Sequence, residues 1–125
     1  MISPINQYRI NALGNKFGNP SLLSQVSEQV EEGIATCLEG PEMGVVILKP
    51  IFRNGKHGSL VWVVIANCQQ AMESYLPMIE EMTKEVGGEF MEFHTKRQGF
   101  KRFAKKFNFI ETRPCDGFFV FTKEV

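Results

Sequence analysis

The chain has 125 residues, 22% of them charged and 43% hydrophobic, with 14 Lys and Arg against 14 Asp and Glu. That length suits one domain with a core of its own, and the composition excludes a disordered or fibrous chain. A formal net charge of +0 argues against a protein devoted to coating nucleic acid, since that work needs excess cations to displace counterions.

The opening segment, up to Phe17, is weakly patterned. Tyr8 and Ile10 fit one face of a short strand, and "LGNKFGNP" reads as a loop. At "NPSLLSQVSEQVEEGIATCLEGP" the signals agree on a helix: Asn19 as N-cap, Pro20 in the first position, and Leu22, Val26, Val30, Ile34 and Leu38 recurring every four residues. Gly40 and Pro41 are the expected stop, and Glu28, Glu31 and Glu32 form a solvated face.

"MGVVILKPIFRNGKHGSLVWVVIAN" predicts two strands around a turn at Asn54-Gly55. Pro50 has no N–H for a ladder, which places it at an edge or a bulge. "LVWVVIA" is apolar without alternation, the pattern of a central strand covered on both faces. A second helix follows, with Ser74 as cap, Pro77 in its first turn, and Leu76, Ile79, Met82 and Val86 as the buried stripe. Gly87-Gly88 ends it.

"EFMEFH" predicts a short strand through Phe90, Met91 and Phe93, and "FIETRPCDGFFVFTKEV" a closing hairpin turning at Pro114 to Gly117. Between them, "RQGFKRFAKKFNF" predicts a helix with Phe100, Phe103, Ala104 and Phe107 on its inner face. Lys101, Arg102, Lys105 and Lys106 fall on the opposite one. This separation makes the helix's aromatics core rather than a base-stacking platform, which disfavours a nucleic-acid partner. The order β-α-β-β-α-β-α-β-β contains a strand-helix-strand crossover. It predicts an α/β fold: a mixed, mostly antiparallel central sheet with helices on both faces.

Candidate chemistry is sparse. Cys37, Cys68 and Cys115 are three widely spaced thiols, which fits a reducing compartment, and two histidines without C-x-x-C argue against structural zinc. With no apolar run of bilayer length and no leader-like start, the expected location is the cytoplasm. Cys68 stands beside a helix start that would favour thiolate, although a small buried residue is the simpler reading. The loop "RNGKHG" sets Arg53, Lys56 and His57 together as an ordinary polar hairpin tip.

The stretch "FAKKFNF", Phe103 to Phe109, resembles the "FYxKxGF" signature of the GNAT (Gcn5-related N-acetyltransferase) superfamily, and it stands on a short helix before a final hairpin, as in that family. Within it, the chain is similar to small, divergent phage-encoded proteins, one of them a virion component of short-tailed phages. The resemblance implies one GNAT-like domain over residues 1–125 and acetyl-CoA as cofactor. It also implies an N-acetyltransferase activity or, as the alternative, a non-catalytic accessory or virion protein acting through a protein partner.

The implied acetyl-CoA site uses the end of "LVWVVIAN" and the start of the next helix: Ile65, Ala66, Asn67, Gln69, Met72 and Ser74. A strand end offers backbone groups to pantetheine, and a helix start holds pyrophosphate. Against the family's [Q/R]xxGx[G/A] loop, "QQAMES" keeps Gln69, has Met72 in place of the first glycine and ends on Ser74. Ala104 stands where the family has the tyrosine that serves as acid toward the leaving thiolate. Glu92 and His94 are the candidates for contact with a substrate amine. The resemblance names neither an acceptor nor an oligomeric state.

Overall fold

The computed structural model describes residues 2–40, 44–66 and 69–125, the side chains of 69–71 excepted. The elements are α1 (Pro4–Lys16), α2 (Leu22–Glu31), β1 (Thr36–Gly40), β2 (Gly44–Arg53), β3 (Lys56–Ile65), α3 (Gln69–Glu85), β4 (Phe90–Thr95), α4 (Phe100–Lys106), β5 (Ile110–Glu111) and β6 (Phe119–Glu124). The strands form one six-stranded sheet in the order β1-β2-β3-β4-β6-β5. β3 and β4 run parallel, as the connecting helix α3 requires, whereas β1–β2, β4–β6 and β5–β6 are antiparallel. The fold is thus the mixed, mostly antiparallel α/β architecture expected. Two compact units can be traced within it, residues Met1–Lys49 with Val63–Leu76, and Pro50–Trp62 with Pro77–Val125.

In the first unit the opening segment is a helix, not the strand and loop expected. Ser3 precedes Pro4, a residue suited to a helix start, and the buried row Asn6, Ile10 and Gly14 repeats at i+4. Tyr8, the presumed strand residue, is exposed. The helix start is fixed from a distance: the Glu39 carboxylate on β1 accepts the Ser3 backbone N–H at 3.2 Å and the Asn6 amide at 2.5 Å. A negative charge there also complements the helix dipole.

The second helix is shorter than its apolar row suggests. α2 ends at Glu31, and Gly33 (φ +77°) turns the chain out, with the Ile34 and Ala35 N–H groups both donating to the Gln29 carbonyl. Asn19 lies before the helix, where its side chain accepts the Ser21 N–H at 3.3 Å. Ile34 is therefore outside the helix, and Leu38 belongs to β1, paired with Val46. The anticipated stop at Pro41 lies outside the described residues.

The hairpin of β2 and β3 turns at Asn54 (φ +52°) and Gly55 (φ +78°), as the sequence demanded. The ladder with β1 ends at Thr36–Leu48, so Pro50 stands beyond it, where no donor is required.

The second unit is built around phenylalanine. Phe93 on β4 stacks on Phe121 of β6 at 5.1 Å and meets Phe109 and Phe100 edge-on at 4.9 and 5.3 Å. Phe103 and Ala104 of α4 are buried, and its four cationic residues are exposed. On the same face of the sheet, Thr83 Oγ1 of α3 lies 2.8 Å from Ser59 Oγ of β3, and Lys123 of β6 meets Glu80 of α3 at 2.5 Å. The last hairpin turns at Asp116 (φ +51°) and Gly117 (φ +81°), bracketed by the Cys115–Phe118 pair.

α3 departs from expectation at its start. It begins at Gln69, so Ser74 is an exposed helical residue rather than a cap, and Pro77 lies inside the helix. The buried positions are Tyr75, Leu76, Ile79 and Thr83; Met82 is half-buried and Val86 is 81% exposed. The buried stripe is therefore rotated toward Tyr75 and Thr83, away from Val86.

Candidate functional site

Within the second unit, chemistry collects on β4. Side chains alternate across a strand, and here Met91 and Phe93 share a face with their register partners Ser59 and Val61, the face that α3 and α4 cover. Glu92 and His94 point the other way. Glu92 is buried, its side chain 7% exposed, and its Oε2 accepts a hydrogen bond from His94 Nε2 at 2.8 Å. Arg53, at the end of β2, reaches the same oxygen through Nη2 at 3.4 Å. A buried carboxylate needs such partners, because an unpaired one would carry a desolvation cost of several kcal/mol, roughly.

This arrangement orients an imidazole. With Glu92 ionised, Nε2 carries the proton and Nδ1 is left as the basic nitrogen, and the His94 side chain is 25% exposed. The couple of base and orienting carboxylate is the geometry that accepts a proton from a nucleophile. Arg53 is the member that the sequence did not single out for this site. It appeared only as part of a hairpin tip, and its 39-residue separation from Glu92 left no local signal.

The same stretch of β4 is where pairing with β3 stops. The parallel register covers Gly58–Phe90 through Val61–Phe93, yet β4 runs on to Thr95 and β3 to Ile65. His94 and Thr95 keep their antiparallel pairs with Val120 and Phe119 of β6. The strand end thus lies past the parallel ladder and beside the Glu92–His94 couple.

The other sequence-derived candidates lie in the first unit. Ile65 closes β3 and Ala66 follows it, both half-buried; Asn67 and Cys68 lie outside the described residues, as does the Gln69 side chain. Gly44, with φ +72°, sits against this strand end: a Cβ added there would stand 2.0 Å from the Ile65 carbonyl oxygen. Met72 is half-buried in the first turn of α3. Ser74 is in the second turn, beyond the four leading N–H groups that a helix leaves open.

The stretch that resembles the signature, Phe103 to Phe109, has no hydroxyl-bearing residue. Asn108 takes the glycine position with φ +66°, a left-handed conformation that Asn tolerates better than most residues. Ala104 is 1% exposed and carries no proton donor. Among the described residues, no helix is long and apolar enough to cross a membrane.

No protein-family model matches the chain, and no curated protein matches it in sequence. Solved structures do match. A GNAT-family acetyltransferase from Listeria monocytogenes superposes with a TM-score of 0.68 at 9% identity, over 97% of this chain and 86% of that one. A chain of the AtaT–AtaR complex bound to DNA gives 0.58 at 15% identity, over 85% and 78%. A chain of AtaTR bound with acetyl-CoA gives 0.57 at 16%, over 85% and 77%. At these identities the likeness is one of fold, and the chain has a GNAT-like fold.

Proposed function

We propose that the chain is an acyl-CoA-binding GNAT-like protein that transfers an acyl group to an amine, with His94 as base and Glu92 as its orienting partner. The observation that carries this reading is the coincidence on β4: the strand passes its last pair with β3 at the point where the Glu92–His94 couple stands. AtaTR, a structural neighbour, has been solved bound with acetyl-CoA, which supports the choice of cofactor.

The chain's residues fit the two ends of that cofactor unequally. The strand end at Ile65–Ala66 suits the amide-bearing pantetheine arm, which pairs with backbone as a strand does. The start of α3, Gln69 to Met72, suits the pyrophosphate through its leading N–H groups, but Met72 replaces the close backbone approach a glycine would allow. The bound thioester would supply an activated acyl carbon. His94 Nδ1 would accept the proton that the amine gives up as its nitrogen bonds the acyl carbon and the C–S bond breaks. Ala104 has no proton for the departing thiolate, which would take one from solvent.

That last feature favours the second reading, a non-catalytic accessory or virion protein of phage type, in which the fold binds a partner without turnover. Calorimetry and thermal unfolding with acetyl-CoA, followed by thiol release with spermidine, a lysine ester and a free peptide N-terminus as acceptors, test both. Saturation to 100 times Kd should add about 2.7 kcal/mol of stability. His94→Ala and Glu92→Gln should keep binding and lower turnover by roughly 10²- to 10⁴-fold. No binding at millimolar acetyl-CoA overturns the acyl-CoA reading, and binding without turnover on any acceptor leaves the non-catalytic one.

A further inference from the structure

The chain's net charge hides a sharp local asymmetry. Residues 96–113 hold seven of its 14 basic residues and one acidic residue, Glu111, a net +6 in a chain whose total is +0. The structure gathers these charges within the second unit. Lys101, Arg102, Lys105 and Lys106 are exposed on α4, Lys96 and Arg97 precede that helix, and Arg113 lies on the final hairpin; all are exposed. Concentrating like charges costs self-repulsion, and it is tolerated where the field has a counter-charge to attract.

A second observation narrows the partner. The inner-face aromatics of α4 are core, as expected, but Phe118 and Phe119 on the final hairpin are only half-buried. Lys96 Nζ lies 4.7 Å from the centre of the Phe118 ring, and Lys101 Nζ lies 4.5 Å from that of Phe119. Cations therefore lie over accessible aromatic faces, the pairing absent from α4 alone. Bases stack on such rings irrespective of sequence, while flexible lysines move to the phosphates. An acidic polypeptide would use the charge and leave the rings idle; a duplex, with its bases already stacked, would do the same.

We propose that the α4 face and the tip of the β5–β6 hairpin bind a single-stranded nucleic acid, with phosphates on the α4 cations and bases against Phe118 and Phe119. This surface shares no residue with the Glu92–His94 site, and its test does not depend on acyl transfer.

Fluorescence anisotropy of the full chain with labelled 20-nucleotide single-stranded RNA and DNA, the matching duplexes, and unlabelled polyglutamate as competitor decides it. Single strands should bind at low salt, with log K falling against log salt at a slope of about −3 to −4 for five neutralised phosphates. Arg102→Glu with Lys105→Glu, both on exposed positions that the core does not use, should weaken binding at least about tenfold by removing and reversing phosphate contacts. Phe118→Ala should cost single strands roughly fivefold or more and the duplex little. The proposal is overturned by no binding at low salt, by polyglutamate competing as well as nucleic acid of equal charge, by equal binding to vesicles of anionic lipid, or by unchanged single-strand affinity in both Phe118→Ala and Phe119→Ala.

Discussion

Replacing Gly44 by alanine probes the join between the start of β2 and the end of β3. Two costs combine. The backbone at Gly44 has φ +72°, where an L-residue with a Cβ pays about 1 kcal/mol or somewhat more. The new Cβ would also stand 2.0 Å from the Ile65 carbonyl oxygen and 3.0 Å from its carbon. These are backbone atoms in a strand, so the overlap is relieved only by displacing the strand, a strain of about 1–3 kcal/mol. Gly55 supplies the control: its φ is +78°, and nothing lies within 4 Å of its Cβ position. Gly55→Ala should therefore cost only the conformational part, and Gly44→Ala roughly 1–3 kcal/mol more than that. Urea unfolding of the two variants beside the parent, followed by circular dichroism, measures the difference. Because Gly44 abuts the strand end assigned to pantetheine, Gly44→Ala should also weaken acetyl-CoA binding where Gly55→Ala does not. Equal destabilisation of the two variants would refute the close-contact argument.

Other expectations follow from single sites. Tyr75 is 2% exposed and, among the described residues, its hydroxyl has no hydrogen-bond partner; burial, then the nearby Cys37, push its pKa up. Tyr75→Phe should stabilise the chain by about 1 kcal/mol or more by removing that desolvated group, and a lower urea midpoint would contradict it. Phe93→Ala, which empties the centre of the phenylalanine cluster, should cost about 3–5 kcal/mol in the same assay. Burial alone would raise the Glu39 carboxyl, but hydrogen bonds from the Ser3 and Asn6 side chains and the Ser3 N–H outweigh it and hold the group below its ordinary range. A depressed folded pKa means that the stabilisation is present above the unfolded value, about 4.3, and is lost as pH falls through the folded one. Parent stability should therefore drop more steeply than that of Glu39→Gln between pH 5 and pH 2 or so; parallel curves would refute the assignment.

The amino-acid sequence alone determined the parts whose causes are local. Asn54-Gly55 and Asp116-Gly117 can each supply consecutive positive φ angles, so both hairpins were legible. The unbroken apolar run of "LVWVVIA" marked β3 as central, and it lies between β2 and β4. The opposed phenylalanine and lysine faces of α4 were legible for the same reason, since helix geometry fixes them. Glu92 and His94 were identifiable as neighbours on one strand face because the side-chain period of a strand is two.

What the tertiary structure decided arose from contacts distant in sequence. The carboxylate that accepts the Ser3 N–H ahead of α1 belongs to Glu39, 36 residues away, so this partner left no signal near Pro4. The apolar row from Leu22 to Leu38 has helical spacing throughout, yet Gly33 turns the chain out after α2, and pairing with β2 claims Leu38 for β1. The cation on Glu92 comes from Arg53, and the rings under Lys96 and Lys101 come from the final hairpin. Local propensity amounts to tenths of a kcal/mol per residue, roughly, whereas pairing a buried charge or closing a strand ladder is worth more. Where the two compete, the partner brought in by the fold prevails, and a single sequence does not show which partner that is.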